Sequence, residues 1–272
     1  MSFSGRSPVS RRRLLAGALA ISAPGVARAD HGGSRLHEAV TRGGLRCSVL
    51  ASLSAPLPAD PRPQTFLIDD YTLAVAEMVA SNLGLRHEIM TSAGGQVLSD
   101  VAEGRVDIGL MPLIAPSTLR RAIFATPVTT VDVAVLGTGA RRRSWAQLAG
   151  RRVGTLFNYA QTMQDLDLAP TSVEIVPAMN LLNLEAMLRA REIDDVMVNR
   201  WHLRNLRERN ADIPLTQHFV AMTQPHGIAV AHGEHDLLRA VNAVLALARH
   251  GGQLARLHQQ HFGVPSPDLD LL

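Results

Sequence analysis

Short apolar runs alternate with stretches of helical periodicity along most of this chain. The apolar runs predict strands at residues 45–50, 85–90, 106–110, 131–136, 153–157, 173–176, 196–198 and 227–231. The helical spacing predicts helices at residues 73–83, 96–103, 118–123, 145–150, from about 160, 180–191, 201–209, 236–248 and 252–262. Ser117 and Asn180 are the predicted N-caps of two of these helices. Strands that alternate with helices in this way indicate an α/β fold with mainly parallel sheets.

Two segments of the chain have nearly the same pattern. Residues 101–111 and residues 188–198 each contain a helix end, a charged turn, an aspartate and a short apolar strand. The two aspartates, Asp107 and Asp194, lie 87 residues apart. A helix–turn–strand unit that occurs twice at this distance predicts two lobes of similar build with a cleft between them.

The first 29 residues have the layout of a bacterial export signal. Three arginines at 11–13 precede the apolar run 14–21, and residues 27–29 form a small-residue A-x-A cleavage site. The string at 10–15 resembles the twin-arginine type. The alternative is an uncleaved membrane anchor, but the run is short for a bilayer and Pro24 interrupts it. We therefore expect cleavage after about Ala29 and residence in the periplasm.

Removal of this signal changes the charge balance of the chain. All 27 basic residues are arginines, five of them lie in residues 1–29, and all 24 acidic residues lie outside it. The remaining chain thus has two more acidic than basic residues, which gives nucleic-acid binding no support. About 240 residues remain, enough for one large domain or two lobes with real cores. The single cysteine, Cys47, excludes an intrachain disulfide, and the polar residues 30–43 predict a loose lead-in.

Ligands of parallel α/β sheets bind beyond the carboxyl ends of the strands. This rule directs attention to the residues that follow positions 50, 110, 157 and 198. The candidate ligand-binding residues there are Ser54, Leu57, Ile114, Arg120, Asn158, Tyr159, Gln161, Thr162 and Asn199. An arginine after a helix N-terminus can bind a carboxylate bidentately, and the alternative for Arg120 is a surface position. The alternative for Asn199, and for the polar group at 158–162, is ordinary helix capping.

Five segments, in their order and spacing, resemble the bacterial extracellular solute-binding proteins of family 3, the periplasmic amino-acid-binding type. Residues 104–107 are similar to the family's G-x-x-D turn, and residues 147–154 look like its D-L-x-G-x-x-V-G opening of the second lobe. The other matching segments are residues 75–85, residues 192–196, and the pair 227–230 and 254–263.

This resemblance covers residues 44–263 and implies the type II periplasmic-binding fold. In that fold two lobes with mainly parallel sheets are joined by two crossing strands and close on a small solute. The implied parts are a first lobe of residues 44–132 and 226–263, a second lobe of 133–225, a tail of 264–272, and hinge crossings near 130–135 and 221–227.

The expected ligand site differs from the family pattern at several positions. Residues 54–57 contain no aromatic ring, whereas the family has rings there that pack on the ligand. Ile114 and Pro116 occupy positions that usually have hydroxyl groups, and Arg120 matches the carboxylate-binding arginine only with a one-residue shift. Asn199 replaces an aspartate that binds the ligand's ammonium group, and an asparagine offers no balancing charge.

The histidines suggest a metal site only by their spacing. His232 and His235, and likewise His258 and His261, stand three residues apart, which places two nitrogens on one side of a helix. No acidic or thiol residue stands at ligand spacing near the second pair. The sequence also has no Ser–His–Asp motif, glycine-rich phosphate loop or H-E-x-x-H motif. We therefore predict no metal, no cofactor and no enzymatic activity.

The resemblance and the export signal lead to one main hypothesis. The protein is expected to deliver a small polar solute, an amino acid or a related carboxylate or amine, to the permease of an ABC importer by hinge closure. It is expected to be monomeric, without nucleic-acid binding or stable membrane insertion. The alternative is an accessory or sensor protein that binds a periplasmic protein, for example of a dehydrogenase system, through the apolar residues Leu57, Ile114 and Pro116. A third possibility is an enzyme on this scaffold, such as a dehydratase.

Overall fold

The computed structural model describes residues 33–50, 52–53, 66–67, 70–92, 95–267 and 269 of the 272-residue chain. The predicted export signal and the site candidates Ser54 and Leu57 lie outside the described residues. From Ser34 onward the chain forms one compact unit. No helix in the described part of the chain has the length and apolar character needed to cross a membrane.

The secondary structure alternates between helices and strands, as the apolar pattern predicts. The helices are α1 (Arg35–Arg42), α2 (Asp70–Asn82), α3 (Gln96–Ala102), α4 (Pro116–Leu119), α5 (Phe157–Asp165), α6 (Leu181–Arg189), α7 (Arg200–Arg209), α8 (His235–His250) and α9 (Gln253–Phe262), with a 3-10 helix at Trp145–Leu148. The strands are β1 (Gly44–Leu50), β2 (Ser52–Leu53), β3 (Phe66–Leu67), β4 (Arg86–Ser92), β5 (Ile108–Leu113), β6 (Ile123–Phe124), β7 (Thr129–Gly137), β8 (Arg152–Leu156), β9 (Glu174–Ala178), β10 (Asp195–Asn199) and β11 (Thr216–Val230).

The sheet consists of two parallel halves that two long strands connect. The strand order is β4-β1-β5-β11-β7-β10-β8-β9, with β6 paired to β11. The first half-sheet (β4, β1 and β5) and the second half-sheet (β10, β8 and β9) are each internally parallel. β11 is antiparallel to β5 and β7, and β7 is antiparallel to β10. β2 and β3 form a separate antiparallel pair.

The two connecting strands pair with each other along their whole shared length. Their register runs from Thr129 opposite His226 to Gly137 opposite Thr216. The sequence places the lobe boundaries at 132/133 and 225/226, which lie inside these strands, and those boundaries remain a prediction. The pairing means that neither half-sheet ends at the crossing, because hydrogen bonds continue from one half to the other.

Each half-sheet has its own apolar core. In the first half, Leu45 and Val49 of β1 pack with Val75 of α2 and Val241 of α8. In the second half the buried residues form two clusters on the sheet. One contains Val153, Met163 and Met197, and the other contains Leu184, Leu188 and Val198. Full burial of such side chains contributes about 1.5–3 kcal/mol each, so both halves have substantial cores of their own.

The predicted sequence repeat corresponds to one turn that both halves contain. Asp107 donates its N–H to the carbonyl of Arg46, 2.9 Å away, and its Oδ2 accepts the Arg46 N–H at 2.8 Å. Asp194 makes the same two bonds with Arg152, each at 2.8 Å. In each half the aspartate therefore ties the turn before one strand to the start of its parallel neighbour.

The structure differs from the sequence pattern in the N-terminal segment and in β11. Residues 30–43 are not a loose lead-in throughout, because 35–42 form the helix α1. Ala39 is buried against the first core, the Arg35 side chain pairs with Glu234, and Gly43 ends the helix at φ 72°. Residues 216–226, for which the apolar pattern predicts no strand, belong to β11.

Candidate functional site

The carboxyl ends of strands from both half-sheets face one another through the helices that follow them. β5 leads into α4, β8 into α5, and β10 into α7. α4 of the first half packs against α5 of the second. We call this contact the α4–α5 junction. It brings together two of the segments in which the sequence predicts ligand-binding residues, the one at 114–120 and the one at 158–162.

The turn into α4 is closed by the hydroxyl of Thr118. Its Oγ1 accepts the N–H of Ala115 at 2.9 Å and donates to carbonyl oxygens of the same turn, including that of Leu113 at 2.8 Å. The helix therefore starts at Pro116 and ends at Leu119, and the prediction of a helix over 118–123 capped by Ser117 is wrong. The short helix leaves Ser117 and Arg120 next to the junction.

Ile114 lies at the crossing strand rather than on an open surface. Its N–H donates to the carbonyl of Pro225 at 2.9 Å, and the residue is half-buried. Its side chain lies over Gly227, where an added Cβ would come within 2.9 Å of Ile114 Cδ1. The glycine thus makes room for Ile114, which forms an apolar contact between the site segment and β11.

The end of β5 has an unusual backbone conformation. Met111 is buried and has a φ of 57°, a left-handed conformation that is rare for a side chain of this size. Its carbonyl accepts a hydrogen bond from His226 Nδ1 at 2.8 Å, beside a register shift between His226 and Ile228. Burial lowers the pKa of His226 to about 4, against the opposing effect of this bond, so the ring is neutral at pH 7. Strained positions of this kind cluster at functional sites.

Tyr159 and Asn199 form a buried pair in the second half. Tyr159 lies in the apolar cluster with Met163 and Met197. Burial raises the pKa of Tyr159, and the side chain of Asn199 near its hydroxyl has a smaller, opposite effect on that pKa. Asn199 Oδ1 accepts the N–H of His202 at 2.9 Å, which caps α7. The capping role that the sequence left open is thus present in the structure, and any contact of Asn199 with a ligand remains a proposal.

The other predicted residues of α5 differ in exposure. Asn158 is exposed near the start of the helix, where its carbonyl accepts the hydroxyl of Thr162 at 2.8 Å. Thr162 is itself buried. Gln161 is half-buried and donates from Nε2 to Oδ1 of Asp165 at 3.0 Å. Of these residues, Asn158 and Gln161 have side chains that solvent reaches.

Asp165 is a residue of the site that sequence reasoning missed. The bond from Gln161 is the largest cause that lowers its pKa, followed by the Ser117 hydroxyl, and Arg120 and the Ser117 N–H act in the same direction. Burial opposes these effects. Within the described part of the chain, Oδ2 of Asp165 is buried without a partner at hydrogen-bond distance, so Ser117 faces it at longer range. The spacing of Gln161 and Asp165 along one helix was the available signal.

The two adjacent arginines after α4 have different surroundings. Arg121 extends to α3, where Nη2 donates to Ser99 Oγ at 2.7 Å. Arg120 is exposed and contributes to the low pKa of Asp165 across the junction. Arg121 is thus bound to α3, and Arg120 is the arginine whose charge acts on Asp165 of the other half.

Gln224 is a second site residue that sequence reasoning missed. The side chain is 2% exposed and Nε2 lies 3.2 Å from Met222 Sδ. Oε1 is buried, and none of the described residues supplies a hydrogen-bond partner for it. Gln224 lies in the crossing segment 221–227 that the family resemblance implies, but no sequence pattern marked its side chain as a site residue.

The histidine pairs do not form a metal cluster with other residues. The described residues contain no group of three or more His, Cys, Asp or Glu side chains that could share an ion. His258 bonds through Nδ1 to the carbonyl of Val264 at 3.0 Å and packs on Tyr71. His232 and His235 are exposed.

Comparison with known proteins gives one clear class of relative, although no protein-family model matches the chain. The L-cystine-binding protein TcyJ of Escherichia coli K12 is 24% identical over 233 residues, which span 80% of this chain and 84% of TcyJ. This relative is a binding protein rather than an enzyme.

Solved structures agree in fold at low sequence identity. A protein bound to L-arginine, Tv2483, has a TM-score of 0.67 at 16% identity and covers 86% of this chain and 96% of its own. The ancestral amino acid-binding protein AncCDT-1, a precursor of cyclohexadienyl dehydratase, has a TM-score of 0.65 at 18% identity and covers 84% and 100%. At these identities the structures establish the fold, and the predicted arrangement of two lobes with two crossing strands is confirmed.

Proposed function

We propose that this chain is a solute-binding protein of the family 3 type and that it binds an amino acid or a closely related carboxylate or amine between its two lobes. The observation that carries the proposal is the α4–α5 junction, where Ser117 and Arg120 of one half face Gln161 and Asp165 of the other. The names of the relatives, which mention L-cystine and L-arginine, support the same class of ligand.

Each polar group at the junction suits one part of such a ligand. The guanidinium of Arg120 can bind a carboxylate bidentately. The carboxylate of Asp165, with its unpartnered Oδ2, can accept a hydrogen bond from an ammonium group. Asp165 would thereby supply the negative charge for an ammonium group that the asparagine at position 199 lacks. Asn158 and Gln161 would add neutral hydrogen bonds, and Ser54 and Leu57 remain proposed contacts on the side of the first half-sheet.

The remaining candidates have supporting roles in this proposal. Tyr159 and Thr162 are buried and would hold α5 in position beneath the ligand. Ile114 would provide the apolar floor at the crossing strand. A ligand that contacts both halves stabilises the closed arrangement by the contacts that exist only there, so binding and closure are coupled.

Transport is the proposed use of this binding. The export signal at residues 1–29 would place the protein in the periplasm, where the closed form would deliver its solute to the permease of an ABC importer. The boundaries 44–132 with 226–263, and 133–225, are the proposed rigid bodies of this motion. No specific observation favours the accessory role, and the relative TcyJ supports binding rather than catalysis.

Isothermal titration of residues 30–272 tests the proposal. The panel contains L-cystine, L-arginine, L-glutamine, and simple amines and carboxylates. We expect at least one amino acid to bind with a Kd near or below about 1 μM, and Arg120→Gln to weaken it about tenfold or more. Arg121→Gln is the matched control, because that side chain is bound to α3, and it should leave the Kd unchanged. Failure of the whole panel to bind would contradict the proposed function.

A further inference from the structure

The crossing strand β11 contains a buried amide that lacks a hydrogen-bond partner. Gln224 is 2% exposed, and its Oε1 has no partner among the described residues. Its Nε2 has only the thioether sulfur of Met222, a weak acceptor, at 3.2 Å. Exchanging the two ends of the amide would leave the nitrogen unpaired instead. In either orientation one end of this buried amide is unsatisfied, which is costly and therefore unusual in a folded protein.

The position of Gln224 places it between the two segments of the proposed site. The adjacent Pro225 accepts the backbone N–H of Ile114, the first residue after β5. On the other side, Met222 belongs to the apolar cluster that contains Tyr159 of α5. Residues two apart on a strand share a face, so Gln224 lies on the same face of β11 as Met222. The backbone at Gln224 is thus next to a residue bonded to Ile114 of the first half, and its amide contacts Met222 of the cluster that contains Tyr159.

We infer that Gln224 is a ligand-binding residue, whose Oε1 accepts a hydrogen bond from an N–H group of the solute. This inference rests on the proposed function and adds a contact from the crossing strand to those from the two lobes. The amide oxygen is buried without a partner among the described residues, and a solute with an ammonium, amide or guanidinium group would satisfy it. The closed form is thereby favoured by ligands that have such a donor.

The test compares three variants by titration with L-arginine and L-cystine. Gln224→Leu removes the acceptor at similar size, and we expect the Kd to rise about tenfold or more. Gln224→Glu keeps an acceptor and should bind within about threefold of the wild type or more tightly. Gln217→Leu, a glutamine on the same strand that is only half-buried, should leave the Kd unchanged.

Thermal unfolding of the ligand-free variants separates binding from structure. Gln224→Leu removes an unpaired buried amide, so the thermal unfolding midpoint of this variant should equal or exceed that of the wild type. Unchanged affinity in Gln224→Leu would overturn the inference. A lower midpoint together with lost affinity in both 224 variants would also overturn it, because the role would then be structural. If the wild type binds neither probe nor any other panel member, the proposed function fails and this inference fails with it.

Discussion

Buried aspartates fix the local geometry of this protein, and Asp195 is one of them. It is fully buried, Arg151 Nε donates to Oδ2 at 2.5 Å, and His218 Nε2 lies 3.2 Å from Oδ1. The pKa of His218 is lowered because burial outweighs the opposite effect of Asp195. The opposing residue in β7 is Gly137, and a Cβ at this position would overlap Asp195 Oδ1.

We therefore predict that Gly137→Ala lowers the free energy of unfolding by about 3 kcal/mol, because it displaces a buried carboxylate from its partners. Urea denaturation measures the change. Gly95→Ala is the control, since the nearest atom to its Cβ would be Arg121 Nη1 at 3.7 Å, and it should cost less than about 1 kcal/mol. Equal losses in both variants would contradict the prediction.

A second buried aspartate predicts how stability depends on pH. Burial raises the pKa of Asp100, but hydrogen bonds from Ser92, Arg105 and Ser48 outweigh it, so the pKa is lowered. The unfolded chain thus takes up the proton first as the pH falls. The stability from Asp100 is complete above the ordinary aspartate pKa of about 3.9 and is lost as the pH falls through the folded value.

The corresponding measurement is the free energy of unfolding at several pH values from about 6 down to about 3. We expect Asp100→Asn to be less stable than the wild type at pH 6 and to show a smaller decrease toward pH 3. Asp236→Asn changes an exposed carboxylate of α8 and should keep the slope of the wild type. Parallel curves for the wild type and Asp100→Asn would rule out this role.

At the scale of elements, the apolar strands were predictable from their pattern, whereas the crossing strand near 221–227 followed only from the family resemblance. β1, β8 and β10 are apolar, buried and bounded by turns, so their pattern identified them. The first two-thirds of β11 instead contains buried polar side chains, among them His218, Gln224 and His226, and also Pro225. His218 is satisfied by Asp195 and His226 by the Met111 carbonyl, both distant in sequence. The local alternation of apolar and polar residues does not reveal a strand whose burial depends on such distant partners.

The same reasoning explains the candidate site. Asn180 was correctly predicted as a helix cap, since its partner Asn183 lies three residues away. The sequence pattern puts Arg120 after a helix N-terminus, whereas the structure has it at the end of α4, where its charge acts on Asp165 of the other half. Asp165 lies more than 40 residues from Ser117 and Arg120, and no short motif contains both segments. Their proximity follows only from the fold.

The α4–α5 junction leads to a prediction about closure. Asp165→Asn removes the charge that faces Ser117 and Arg120, so we expect ligand affinity to fall about fivefold. Small-angle X-ray scattering of the saturated variant should still show the compact, ligand-bound form. Asp167→Asn is a matched control two residues further on, because Asp167 is exposed and its φ of 53° suits asparagine. An effect of the control equal to that of Asp165→Asn would mean that the junction is not responsible.

At the scale of the whole molecule, the two halves share one design and one sheet. Each half-sheet has three parallel strands followed by an antiparallel crossing strand, β11 in the first and β7 in the second. The repeat around Asp107 and Asp194 predicted the similarity of the halves. It did not predict their continuity, because the pairing of β7 with β11 joins residues from Thr129 to Thr216 and beyond, far apart in sequence.

This continuity makes cooperative unfolding the expectation for the whole molecule. β11 pairs with β5 on one side and with β7 on the other. Loss of either half-sheet therefore leaves one edge of this long strand without its hydrogen-bond partners. Both tryptophans, Trp145 and Trp201, belong to elements of the second half, and Trp145 packs on Phe219 in its core, so Trp145 fluorescence reports on that half. Circular dichroism reports on both halves, and coincidence of the two transitions is the test of a single unit.

A core variant in the first half makes this test decisive. Val75 of α2 is fully buried in the first core, and Val75→Ala should cost about 1–2 kcal/mol. In a single cooperative unit the tryptophan transition of the second half must shift to lower denaturant by the same amount as the circular dichroism transition. Val220→Ala, an exposed change on β11, is the control and should shift neither appreciably. A tryptophan transition that stays in place while the dichroism transition broadens would mean that the crossing strands join the halves without coupling their stability.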